Sequence, residues 1–220
     1  MANVVVTGAN RGIGLELVKL YLQRGDSVWG ICRQSSEELD DCGATVIDSV
    51  ELDSLQGLSE KVQPLKAISI DVLINNAGIL RDEQLNQVNI DTIEQQYRIN
   101  AIAPLVLTDL LAENFSDNAK VGLITSRMGS IADNSSGGRY GYRMSKAALN
   151  AAGVSLAHDL KPKGVSVAIL HPGYVQTGMV GFRGNVSASD AAKGLQARMD
   201  QLNLDNSGTF WHANGEVLPW

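Results

Sequence analysis

Two kinds of hydrophobic spacing alternate along this chain. Asn3-Val4-Val5-Val6 is a short unbroken apolar run rich in β-branched residues, as expected of a strand buried on both faces of a parallel sheet. Leu15, Leu17, Val18, Leu20, Tyr21 and Leu22 then recur with mostly helical spacing as far as Arg24-Gly25. The same alternation continues to the end. Further strands are predicted at 28–31, 45–47, 71–74, 121–125, 165–170 and 208–211, and helices at about 54–66, 91–114, 142–160 and 188–203. Ser187 and Asp190 read as the N-cap and the acid three residues on of the last helix. Pro104 interrupts the second of these helical patterns and predicts a kink there. Strand–helix alternation with right-handed crossovers implies an α/β fold: one doubly wound parallel sheet of about seven strands with helices on both faces. Ligands of such sheets bind beyond the carboxyl ends of the strands.

Composition narrows the classes. A chain of 220 residues with 44% hydrophobic positions can bury one sizeable core, and no repeat, low-complexity tract or linker divides it, so residues 1–220 read as a single domain. The first strand begins at residue 3, which leaves no basic segment and apolar core for a signal peptide, and no apolar run reaches the length of a membrane span. A cytoplasmic protein is expected. Cys32 and Cys42 lack metal-ligand spacing and read as reduced spectators; no His/Cys/Asp/Glu cluster suggests a metal. A net charge of -6 without a basic block gives no footprint for nucleic acid or an anionic membrane. Any basic requirement is therefore local.

Candidate chemistry lies in two motifs. Thr7-Gly8-Ala9-Asn10-Arg11-Gly12-Ile13-Gly14 stands between the first strand and the first helix. Glycines there let the backbone approach a pyrophosphate, and the helix N-terminus offers unpaired N–H groups and a positive dipole end. The Gly-x-x-x-Gly-x-Gly spacing differs from the common Gly-x-Gly-x-x-Gly fingerprint. Tyr142 and Lys146, in Tyr142-Arg143-Met144-Ser145-Lys146, are four apart and share a helix face. A free phenol has a pKa of about 10, and a fixed cation beside it favours the phenolate and suits it to proton exchange near neutrality. Alone, such a pair is usually a surface pair on a helix.

Taken in order, Thr7-Gly8-x-x-x-Gly12-x-Gly14, Asn75-Asn76-Ala77-Gly78, Asn100, Ser126, Tyr142-x-x-x-Lys146 and Pro172-Gly173 resemble the short-chain dehydrogenase/reductase family. The resemblance covers nearly the whole chain and implies a Rossmann-like fold. Ser126-Arg127-Met128-Gly129-Ser130-Ile131, Tyr140-Gly141-Tyr142-Arg143 and the ending Gly215-Glu216-Val217-Leu218-Pro219-Trp220 resemble the branch that holds C-factor and the sniffer-type carbonyl reductases. By this resemblance Asn100, Ser126, Tyr142 and Lys146 are the catalytic residues. Ser130 rivals Ser126, because the segment up to Tyr142 is about three residues longer than is usual in the family. Gly8, Asn10, Arg11, Gly12, Ile13, Gly14, Arg33, Asp48, Asn75, Ala77, Gly78, Tyr142, Lys146, Pro172, Gly173, Val175 and Thr177 are the expected cofactor contacts, with Asp48 at the adenine and Thr177 at the nicotinamide carboxamide. His171 is expected to be structural.

The end of the second strand speaks to the cofactor. In nucleotide-binding folds a residue about 20 positions past the glycine turn is Asp or Glu when the ribose carries a free 2′-hydroxyl. Here it reads Cys32-Arg33. No carboxylate repels a phosphate, Arg33 can grip one, and Arg11 can add a second guanidinium. NADP(H) is the expected cofactor, and reduction of an aldehyde, ketone or quinone the expected reaction. The substrate cover between Thr177 and Ser187 is short and glycine-rich, which implies tolerant selection. Small residues on the helix from Tyr142, namely Ala147, Ala148, Ala151, Ala152 and Gly153, fit a homodimer interface or close packing on the chain's own sheet. A nucleotide-dependent signalling protein of the C-factor kind is the alternative to an enzyme.

Overall fold

A computed structural model describes residues Met1–Trp220, the side chain of Leu55 excepted. Seven strands, β1 (Asn3–Thr7), β2 (Ser27–Ile31), β3 (Thr45–Ile47), β4 (Ile70–Asn75), β5 (Phe115–Ile124), β6 (Ser166–His171) and β7 (Phe210–His212), form one sheet in the order β3-β2-β1-β4-β5-β6-β7. Every pairing is parallel, which is the doubly wound sheet expected. The helices are α1 (Gly12–Gln23), α2 (Glu37–Asp40), α3 (Leu55–Lys61), α4 (Ile90–Tyr97), α5 (Ala103–Leu110), α6 (Tyr140–Leu160) and α7 (Ala188–Gln201). Strand order reverses between β1 and β4, so the loops at their carboxyl ends part and open a crevice.

The core lies on both faces of the sheet. On one face Val5, Leu73, Val121, Leu123, Val167 and Ile169 pack with Leu107 of α5 and Leu149 of α6. On the other, Val4, Val6, Ile74, Ala168 and Leu170 pack with Leu17 and Val18 of α1 and Leu195 and Met199 of α7. Alternate residues of each strand go to opposite faces, which is why the strands read as continuous apolar runs. Ser187 caps α7 as expected, its Oγ accepting from Asp190 N at 3.0 Å.

Several elements depart from the sequence reading: α2 is not among the predicted helices, and the 54–66 helix is α3 followed by a 3-10 turn over Gln63–Ala67. The 91–114 helix is broken into α4, a π-helical turn over Arg98–Ile102 and α5. Pro104 has no N–H for the carbonyl of Asn100, and the ladder shifts to a wider turn in which Ala103 N reaches back to Arg98 O. β5 begins at Phe115, well before the apolar run: Phe115 pairs with Ile70, the register then shifts across a bulge that holds the polar Ser116, Asp117 and Asn118, and pairing resumes at Lys120 with Val72. α6 begins at Tyr140, two residues before its first expected position. The small-residue stripe on α6 is also divided. Gly153 faces the chain's own sheet, where a Cβ would stand 2.7 Å from Ile169 Cγ1, whereas Ala151 is exposed.

Candidate active site

The first half of the site is the glycine turn. At Gly8 (φ +66°) a Cβ would meet Ala77 Cα at 2.9 Å, and at Gly14 one would meet Gly8 O at 2.1 Å. The turn closes only because both side chains are missing. Thr7 and Asn76 stitch it to the end of β4: Thr7 Oγ1 accepts from Asn76 N and Ala77 N, each at 3.0 Å, and Asn76 Nδ2 donates to Thr7 O at 2.9 Å. No side chain caps α1, whose first turn also lacks acids, so its N–H groups stay available to an anion. Thr177 reaches this turn from the far side of the crevice, its Cγ2 lying 3.3 Å from where a Gly12 Cβ would be. Pro172, Gly173 and Val175 carry the chain there from β6.

The loop after β2 is tied to the glycine turn. Asn10 Nδ2 donates to Gln34 O at 2.8 Å, and Ser36 Oγ donates to Asn10 O at 2.8 Å, so the glycine turn fixes the Cys32–Ser36 stretch beside it. Arg33 and Arg11 are both exposed, and among the described residues neither forms an ion pair with a carboxylate. Asp48 is exposed directly after β3. The buried side chain of Asn75 turns away to Thr108 of α5, Nδ2 to Oγ1 at 3.3 Å, leaving only its backbone toward the crevice. Asn76, next to it, ties the end of β4 to the glycine turn.

The second half is the meeting of β5 and α6. Lys146, 3% exposed, donates from Nζ to Ile124 O at 2.8 Å, and Thr125 Oγ1 donates to Asn150 Oδ1 at 2.7 Å. Ser126 opens a 3-10 turn over Arg127–Gly129 and accepts from Met128 N at 3.1 Å. Gly129 lets that turn press on α6: a Cβ there would stand 2.7 Å from Lys146 C. Ser130, the rival, is committed to a different turn, accepting from Asp133 N at 3.1 Å. Asn100 holds the segment after Gly78, accepting from Ile79 N and donating to Ile79 O, both at 2.8 Å, and reaching Ser145 Oγ at 3.0 Å. Gly78 lies against both Asn100 and Lys146.

The charge environment departs from the simple cation-beside-phenol expectation. Burial raises the Tyr142 pKa, while hydrogen bonding with Ser126 and the charge of Arg139 work in the lowering direction. Lys146 Nζ is 5.8 Å from the centre of the Tyr142 ring, and burial lowers the lysine from its ordinary 10.5 to about 7. Desolvation wins because Lys146 has a carbonyl for a partner and no anion. His171 packs edge-on to His212 with centroids 5.0 Å apart. Burial, then His212 and Arg127, bring His171 down to about 3. It is a neutral packing residue at pH 7. Glu83 and Gln96, both buried, adjoin the start of α6 and escaped the sequence reading, although Thr92, Gln96 and Asn100 at four-residue intervals form a polar stripe inside a helical pattern.

The chain matches the short chain dehydrogenase family over residues 2–186 and belongs to it. It is 35% identical to 1-hydroxy-2-glutathionyl-2-methyl-3-butene dehydrogenase of Rhodococcus sp. (strain AD45) over the whole of both chains. It is 42% identical to the C-signal protein of Myxococcus xanthus over 69% of this chain and 93% of that one. Two solved structures superpose on it with a TM-score of 0.90 at 27% identity: the NADPH-bound carbonyl reductase from chicken fatty liver, over 100% of this chain and 99% of that one, and the carbonyl reductase Sniffer of D. melanogaster, over 100% of each. Among the described residues no helix is long and apolar enough to cross a membrane.

The buried lysine sets a pH dependence. Its folded-state pKa is depressed, so between about 7 and 10.5 the unfolded chain binds a proton that the folded chain does not. Its contribution to stability therefore rises with pH across that window and is smallest below it. Lys146→Met should exceed wild type in unfolding free energy at pH 7, by a margin that shrinks toward pH 10. Denaturant unfolding of the free protein at several pH values checks this. Parallel curves for the two proteins would contradict it.

Proposed function

We propose that this protein is an NADPH-dependent carbonyl reductase in which Tyr142 donates the proton. The observation that carries the reading is the buried meeting of Tyr142, Lys146 and Ser126 at the carboxyl ends of the strands, across a crevice from an uncapped helix N-terminus. The chicken carbonyl reductase named above binds NADPH, and the cradle of Gly8, Gly12 and Gly14 here admits a pyrophosphate on α1. Bound NADPH would supply the hydride. The roles of the side chains follow from where charge develops. Ser126 and the Tyr142 hydroxyl donate to the substrate oxygen, and Tyr142 passes its proton there as negative charge builds. Because burial holds the phenol protonated, the acid is ready in its donating form. Lys146 steadies the phenolate that results and holds the nicotinamide ribose. Asn100 holds Ile79 and Ser145 so that the lysine stays against Gly78 and the end of β5.

Arg33 and Arg11 take the 2′-phosphate, Asp48 the adenine, and Ile13, Ala77, Gly78, Gly173 and Val175 flank the cofactor. The substrate is a small aldehyde, ketone or quinone, taken with little selection behind a cover in which Gly178, Gly181 and Gly184 replace bulk. The whole chain acts as one domain in the cytoplasm. Similarity to the C-signal protein favours one second reading, a nucleotide-dependent signalling protein; stoichiometric NADPH binding without turnover on a carbonyl panel distinguishes it. We also propose a homodimer. Tyr97 of α4 and Leu105 of α5 are exposed apolar residues, and exposed Ala151 on α6 allows close approach. Light scattering at micromolar concentration should give twice the chain mass, and a monomer alone would reject this.

Two substitutions test the site. Tyr142→Phe keeps the ring and removes the acid, so turnover should fall by at least about 10²-fold, the lower range for general acid catalysis, with NADPH binding retained. Undiminished turnover would remove Tyr142 from its role. Arg33→Asp places a carboxylate at the 2′-phosphate and should weaken NADPH by at least about tenfold, a loss on the scale of one charge-assisted contact, while NADH changes little. Fluorescence titration of both cofactors reads the result. A wild-type preference for NADH would overturn the cofactor assignment.

A further inference from the structure

The strap from Ile79 to Glu83 runs between the carboxyl end of β4 and the start of α6. Its backbone is taken up by polar side chains of α4 and the π-helical turn. Asn100 satisfies both backbone groups of Ile79, and Gln96 Oε1 accepts from Arg81 N at 2.8 Å. At the end of the strap stands Glu83, 3% exposed. Its Oε1 accepts from Gln96 Nε2 at 2.6 Å and from Thr92 Oγ1 at 2.7 Å. Its Oε2 accepts from the backbone N–H of Gly141 at 3.2 Å. Gln96 itself is fully buried.

Gly141 is the second residue of α6, and Tyr142 the third. An N–H in that first turn has no partner within the helix, and a carboxylate there also meets the positive end of the helix dipole. The residue in the ordinary capping place cannot do this. Arg139 has left-handed backbone angles (φ 50°, ψ 46°) and makes no side-chain cap. A non-glycine residue in that region persists where its surroundings fix it. Here Arg139 N donates to Glu83 O at 2.8 Å, and its guanidinium lies 3.4 Å from Asp82. Gly141 leaves room for the arrangement, since a Cβ there would meet Gln96 Nε2 at 2.4 Å.

The geometry points to Glu83 as a positioning residue for Tyr142: paired with Gln96, it fixes the first turn of α6 and so holds the phenol where Ser126 and the substrate oxygen meet. This rests on Tyr142 being the proton donor. A carboxylate is required because three donors converge on its two oxygens. In Glu83→Gln the amide NH₂ faces donors on one side or the other. In Gln96→Glu two carboxylates face each other. The double exchange Glu83→Gln/Gln96→Glu restores a donor to an acceptor between the two positions and leaves an amide oxygen for the Gly141 N–H, at the loss of the bond from Gln96 Nε2 to Thr92 O (3.1 Å).

The three variants are compared with wild type by two readouts. One is amide hydrogen exchange of residues 139–146 in the free protein. The other is kcat and KM for carbonyl reduction, expressed per NADPH-binding site titrated by fluorescence. Each single variant should speed exchange at the start of α6 and lower kcat by about tenfold, as expected for one lost hydrogen bond to a charged group. KM for NADPH should stay within about twofold, less than a single such bond is worth, and the double exchange should recover part of the loss in both readouts. A residue that merely held the fold together would lower the number of binding sites rather than kcat per site. Single variants that match wild type in both readouts overturn the proposal, as does a double exchange no better than either single at equal thermal stability. If the wild-type protein reduces no carbonyl, the reductase reading fails, and hydrogen exchange alone decides whether Glu83 and Gln96 fix the helix.

Discussion

Helix α6 can lie against the carboxyl end of β5 because Gly129 has no side chain: a single Cβ would collide with the backbone of Lys146. That contact brings together groups that the chain order keeps apart. Ser126 stands just past the end of β5, Tyr142 and Lys146 ride on a helix that starts at Tyr140, and only this close approach lets the lysine donate to Ile124 O and Thr125 reach Asn150. Hydrogen bonds across the seam then fix the helix along its axis as well as its distance. The glycine turn at β1 depends on the same kind of constraint, with Gly8 and Gly14 giving the space that Thr7 and Asn76 close.

Burial at this seam has an electrostatic consequence. Taking Lys146 out of water without an anion lowers its pKa to about 7, and taking Tyr142 out raises the phenol. Both shifts disfavour charge, as desolvation does. A buried acid kept protonated suits proton donation to an oxygen that gains charge during reaction. A permanently ionised phenol would not. The free protein thus holds the phenol in its protonated form, as the proposed reduction requires, and the lysine is left with capacity to gain a proton when negative charge appears beside it.

Much of this was legible in the sequence, where the signal is local. The strands on both sides of the crevice read as apolar runs because both faces are buried, and the glycine turn and the Tyr142-x-x-x-Lys146 pair are each contained in one short stretch. What was not legible depends on contacts between distant residues. Glu83 meets Gln96 thirteen residues on and Gly141 fifty-eight residues on, and nothing in its neighbours marks it as buried. The side chain of Asn75 turns to Thr108 rather than to the crevice, a choice made by packing on α5. Pro104 announced a bend, yet the form of the bend, a π-helical turn at Asn100, follows from how the ladder repairs the missing N–H. The start of β5 shows the same limit, since the pairing of Phe115 with Ile70 ahead of a bulge leaves no apolar pattern to read.

Deuterium transfer tests the central claim most directly. Wild-type protein is incubated with NADPH carrying deuterium at the transferable position of the nicotinamide and with a panel of reactive aldehydes, ketones and quinones. Mass spectrometry then reads the products. The account predicts an alcohol bearing one deuterium at the former carbonyl carbon of at least one panel member, or, from a quinone, the corresponding hydroquinone. It also predicts loss of that product in Tyr142→Phe at equal cofactor occupancy. Full NADPH binding with no labelled alcohol and no hydroquinone would contradict it, as would product formation that is indifferent to Tyr142.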